Sequence, residues 1–96
     1  MQIQKYRDEI NKLDFDVLFT KLCLSKNKEL NKQVINVYWE DLNNLIHLEE
    51  TLIYARQINF AHWFPSVADL IALNKKINDK IKTLNMIELF KEKNNI

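Results

Sequence analysis

Two histidines, one cysteine and two pairs of adjacent acids are the side chains of this 96-residue sequence best suited to chemistry. His47 and His62, with Glu49 near the first, could be imagined as zinc ligands. The sequence has no HExxH, no CxxC and no HxE with a partnering PCxxC, so the spacing that makes such a set work is missing. The expected arrangement is instead a histidine at each end of one helix, His47 near its start and His62 at its end. Cys23 would need a neighbouring base and a lowered pKa to act as a nucleophile. It lies in the apolar run Phe19-Thr20-Lys21-Leu22-Cys23-Leu24, which predicts a buried, inert thiol. Glu40-Asp41 and Glu49-Glu50 are neighbours in sequence, and neighbouring positions on a helix point about 100° apart. Neither pair can share a proton, and both are expected on solvated faces. No glycine exists to build a phosphate-cradling loop. The sequence therefore offers no catalytic residue, metal ligand or cofactor site, and a non-enzymatic role is expected.

The elements that position these residues are read from apolar spacing. With no glycine and little β-branched alternation, the chain is expected to be all-α, a compact single-domain bundle of four or five helices over residues 1–96. Ile3, Tyr6, Ile10, Leu13 and Val17 recur at 3,4 spacing as a narrow apolar stripe. Asp14 and Asp16 interrupt it, and either could cap a new helix carrying Phe15, Leu18, Phe19 and Leu22, so residues 2–24 read as one bent helix or two short ones with the break near 12–16. About two heptads are too few for a coiled coil. Ser25-Lys26-Asn27-Lys28 reads as a loop. A helix over 28–45 carries Leu30, Val34, Val37, Tyr38, Leu42 and Leu45, with Ile35 and Trp39 on its flank, and stops at Asn43-Asn44. A third, over 48–60, has Glu49 and Glu50 in its first turn, where carboxylates complement the dipole. Its inner face is Leu48, Leu52, Ala55 and Ile58, widened by Ile53, Tyr54 and Phe60.

Pro65 is the only proline. It fixes φ and disfavours helical geometry just before it, so a helix must end at or before Trp63-Phe64. Ser66 is the expected N-cap of the next helix, with Asp69 near its N3 position. That is a strong start signal but an incomplete capping box, since Asp replaces the usual Glu or Gln. Val67, Leu70, Ile71, Ile77, Ile81 and Leu84 carry the helix towards 83, with Asn74 a polar weak point. The helix ends at Asn85 or runs on through Ile87, Leu89 and Phe90, and residues 91–96 are expected to fray.

Composition places the chain in the globular range, with 47% hydrophobic and 28% charged residues. A lone cysteine, no signal-like opening and no long apolar run predict a cytoplasmic protein with no membrane partner. The net charge of +1 is too small for a bulk argument about nucleic acid. Its distribution is uneven: residues 33–72 are acidic and both ends are basic. Lys75, Lys76, Lys80 and Lys82 are the candidate phosphate contacts, interrupted by Asp79. Trp39, Trp63 and Phe64 either all pack into the core or, where so small a core does not hold them all, are the candidate partner-binding residues.

The segment from Val34 to Ile71 resembles the phage replicative-helicase loader/inhibitor family. The likeness is carried by Tyr38-Trp39-Glu40-Asp41-Leu42, by Leu52-Ile53-Tyr54-Ala55, and by the corner Phe64-Pro65-Ser66-Val67-Ala68-Asp69-Leu70. Heavy use of Lys, Asn and Ile, as in an A/T-rich coding sequence, agrees with a phage or mobile element. The resemblance implies a helical domain that docks on a hexameric replicative helicase or its loader, with no chemistry of its own, and so modulates DNA replication. Two other readings follow from the residues alone. One is a small nucleic-acid-binding regulator using the four lysines, and the other is a structural protein that self-associates through the Ile3–Val17 stripe.

Overall fold

The computed structural model describes residues 10–94, with side chains from Ile10 to Asn85. These residues form four helices and no strand. Helix α1 spans Lys12–Ser25, α2 Lys32–Leu42, α3 Leu48–Ala55 and α4 Val67–Asn94. The all-α expectation holds. Helix α3 packs on α1 and α4, and α2 packs on the same two helices. One continuous core lies between them.

Helix α1 starts from Asn11, just ahead of the break expected near 12–16, and residues 2–9 of that stretch lie outside the described residues. The Asn11 side-chain oxygen accepts from the Asp14 N–H at 2.8 Å and caps the helix. Asp16 is no cap; its carboxylate pairs with Lys12 at 2.9 Å. Ile3 and Tyr6 lie outside the described residues. Of the rest of their stripe, Ile10 packs against the core, but Leu13 and Val17 face away from it, 71% and 48% exposed. Phe15, Phe19, Leu22 and Cys23 are buried instead. Helix α1 carries apolar residues on both sides, and the side with two aromatics i,i+4 apart removes more apolar area from water.

Helix α2 begins later than expected, because Asn31 accepts from the N–H groups of Gln33 and Val34. Leu30 is left outside it and 49% exposed, and Val37 is also exposed. Ile35, expected on the flank, is buried with Leu42, and Tyr38 and Trp39 pack against the core beside them. Helix α3 stops at Ala55 rather than 60. Three tight turns follow, each closed by an N–H to the carbonyl three residues back at Ile53, Tyr54 and Ala55. Lys26 then takes the Ile58 carbonyl at 2.7 Å and lies over the Phe60 ring. The chain must leave helical geometry here for Phe64 to reach the core.

At the start of α4 the Ser66 hydroxyl accepts from the Asp69 N–H at 3.1 Å, and the Asp69 carboxylate accepts from the Ser66 N–H at 3.0 Å. The capping box is therefore complete, against the expectation from sequence. The shorter aspartate side chain still reaches back to the Ser66 N–H and closes it. Asn74, the expected weak point, is buried and bonds across to α3 and the turn before it. Helix α4 continues past Asn85 and through most of the stretch expected to fray. Its 28 residues make it about 42 Å long. Among the described residues, no helix is long and apolar enough to cross a membrane.

Candidate interaction groove

The three aromatics singled out from sequence have three different fates. Phe64 is 7% exposed, edge-on to Phe19 at 5.9 Å and to Tyr38 at 6.3 Å. Phe64 is core, and the expectation that it contacts a partner is corrected. Pro65 is buried behind it, and its carbonyl accepts from the Tyr38 hydroxyl at 2.9 Å. Trp39 is half-buried, its ring 5.1 Å from that of Phe15. Trp63 alone is open, at 56% exposure.

The backbone at Trp63 explains that exposure. Its φ is 69°, and the Phe64 N–H reaches back over it to the His62 carbonyl at 2.6 Å. A two-residue-back bond around a positive φ is the rare, strained γ-turn. It throws consecutive side chains apart, Phe64 inward and Trp63 outward. The Trp63 indole N–H donates to the Lys26 carbonyl at 2.9 Å, and the Lys28 ammonium sits 5.8 Å from the ring centroid.

The candidates for chemistry are separated. His47 caps α3 with a left-handed φ of 63°, its Nδ1 3.7 Å from the Glu50 carboxylate. His62 is exposed on the turn before Trp63, and Glu40, Asp41, Glu49 and Glu50 are all exposed. Among the described residues, no three His, Cys, Asp or Glu side chains are grouped to hold a metal.

Cys23 is 2% exposed, and burial pushes its thiol up from the ordinary value of 9.0, with Lys28 opposing weakly. Burial likewise raises Tyr38 from 10.0, aided by the charges of Cys23 and Asp69. Both groups are neutral in the fold, while the unfolded chain loses their protons at ordinary pH values. Above the unfolded values the folded state binds more protons, so stability must fall as pH rises. The urea midpoint is expected to be flat up to about pH 8.5 and to drop above about 9. Cys23→Ala should delay the drop into the tyrosine range. A midpoint unchanged to about pH 10.5 would show that burial does not hold these groups neutral.

One open feature gathers residues that spacing alone assigns to the core. Helices α3 and α4 enclose a groove of about 640 Å³. Ile53 and Tyr54 of α3, with Ile58 just after the turns that follow it, form one wall. Leu73, Ile77, Ile81 and Leu84 form its α4 wall. Three of these, Ile53, Tyr54 and Leu84, are 41%, 48% and 53% exposed, well beyond the normal scatter of single surface apolars because they are contiguous. A signal was present in the sequence: the second half of α3, Leu52-Ile53-Tyr54-Ala55, is apolar on every side, and so short a helix cannot bury all of them.

The four candidate lysines are exposed, but they do not form one patch. Lys76 and Lys80, one turn apart, line the groove. Lys75 and Lys82 share another side of α4 with Asp79 between them, by their i,i+4,i+7 spacing. No family model matches the chain, and no curated protein or solved structure matches it.

Proposed function

We propose that this chain is a non-enzymatic interaction module that docks on a protein partner through the α3–α4 groove. The observation that carries this reading is the contiguous apolar wall left open beside a complete core. A side-chain set this apolar is costly to leave in water, at about 25 cal/mol per Å². The partner we propose is a replicative helicase or its loader, and that half rests on the resemblance of Val34–Ile71. The Phe64-Pro65-Ser66 corner that carries the likeness serves the fold itself, so the contact falls to the groove and to Trp63.

A pull-down of a hexameric replicative helicase and of its loader tests both halves. The wild-type chain should retain one of them. The double variant Ile53→Asp/Tyr54→Ala, changed only at exposed positions, should lower retention by about tenfold or more, as expected for loss of interface side chains worth over 1 kcal/mol. Circular dichroism confirms that the variant is folded. Retention of neither protein by wild type sinks the helicase reading. Retention unaffected by the double variant but lost in Trp63→Ala moves the docking site to the corner.

A further inference from the structure

We infer that the occupant of the groove is a single amphipathic α-helix of the protein partner, with acidic residues along the edge that meets Lys76 and Lys80. The inference rests on the interaction-module reading above and adds the chemistry of what is bound.

Shape argues for a helix. The α4 wall runs from Leu73 to Leu84, about three turns and some 16 Å, and faces Ile53, Tyr54 and Ile58. A third helix laid along two packed helices buries its stripe at i, i+3, i+4 and i+7 spacing. A strand would need a sheet edge, and the described residues contain none. A small polar ligand would need convergent polar groups on the floor to orient it. The floor here is Leu73, Ile77 and Ile53, and the charged groups stand only at the rim.

Charge argues for the acidic edge. Lys76 and Lys80 are exposed, and neither has an ion-pair partner among the described residues. Glu50 is the rim acid, and it stands on α3 rather than on α4. The rim therefore presents two positive charges on α4 and one negative charge on α3, so an acidic edge fits against α4. The chain's own open helix face, Leu13 and Val17 on α1, is a poor fit. Its neighbours Lys12 and Asp16 neutralise one another, leaving a mixed pair, Asp14 and Lys21, rather than an acidic edge to offer a second copy.

Two labelled 16-residue helical peptides test this. Both carry leucine at i, i+4, i+7 and i+11; one has glutamate along one flank and the other has lysine at the same positions. Fluorescence anisotropy should show the glutamate peptide binding at least tenfold tighter, with amide shifts confined to residues around Ile53, Tyr54, Ile77 and Lys80. Lys76→Glu/Lys80→Glu should reverse the order. Equal affinities, or no binding of the glutamate peptide, overturn the inference. So does a dimer by sedimentation that Tyr54→Asp dissociates, which would make a second copy the occupant. So does a tenfold gain in peptide affinity on Ile3→Asp, which would make the segment 1–9 the occupant. If no helicase is captured but the glutamate peptide binds in the groove, the partner's identity falls and this inference stands. If a helicase is captured through the groove and the peptides behave alike, this inference falls alone.

Discussion

Phe19→Ala is expected to remove about 3–5 kcal/mol of stability, the usual cost of emptying a large aromatic site in a core. Phe19 is fully buried and is the hub of the aromatic cluster. Its ring lies 5.4 Å from Phe15, 4.8 Å from Tyr38 and 5.9 Å from Phe64. Those three rings come from α1, α2 and the corner before α4, so one substitution loosens three elements at once. A domain of this size has only about 5–14 kcal/mol in total. The melting temperature should therefore fall by about 15–30 °C, and part of the population should be unfolded at 37 °C. Phe19→Leu keeps most of the volume and should cost about 1–2 kcal/mol. Leu13→Ala is the control, because Leu13 is 71% exposed and should change stability by less than about 0.5 kcal/mol. Thermal unfolding of the three variants decides which stripe of α1 is the inner one. A Leu13→Ala loss as large as that of Phe19→Ala would refute the arrangement described.

That contrast marks where the sequence could be read and where it could not. Helix content, the corner at Pro65 and the inner residues Leu48, Leu52, Ala55 and Leu70 follow from spacing and from one proline. Capping follows from side-chain chemistry, and Asn11 and Asn31 carry it as Ser66 does; asparagine is common in this chain, which hid them. The choice between the two apolar stripes of α1 does not follow from α1. It depends on Trp39, Tyr38 and Phe64 arriving from elsewhere to meet Phe15 and Phe19. The same holds for Trp63 and Phe64. Sequence treats them as a pair, whereas the γ-turn at Trp63 sends one in and one out. The groove was the hardest feature to see. Ile53, Tyr54, Ile77, Ile81 and Leu84 all look like core, yet among the described residues the short α3 leaves them lining an open groove.

Asn74 is the residue on which that groove depends, and its replacement should have the second large effect. It is 3% exposed. Its amide donates to the Ile46 carbonyl at 2.7 Å and to the Thr51 hydroxyl at 3.0 Å, while its oxygen accepts from Asn78 at 3.1 Å. Thr51 in turn donates to the His47 carbonyl at 2.9 Å. These bonds lock α4 in register against α3 and the turn preceding it. Apolar contacts among Ile, Leu and Tyr cannot do this alone, because they tolerate sliding. Asn74→Ala should cost about 2–4 kcal/mol, combining orphaned polar groups with a cavity. Asn74→Leu fills the space and should cost less. Asn74→Asp is the sharpest variant, since it is isosteric but places a carboxylate oxygen against two other oxygens. Burial and those acceptors raise the folded pKa of that acid above the unfolded value of about 3.9. Its stability deficit should therefore be small below pH 4 and grow as pH rises towards 7. Urea titration of wild type and Asn74→Asp at about pH 4 and about pH 7 reads this directly. Equal midpoints for the two proteins at neutral pH would mean that the Asn74 bonds do not hold the helices. If they do hold them, Asn74→Leu should remain folded yet bind the glutamate-flanked peptide more weakly, because the walls of the groove are then free to shift.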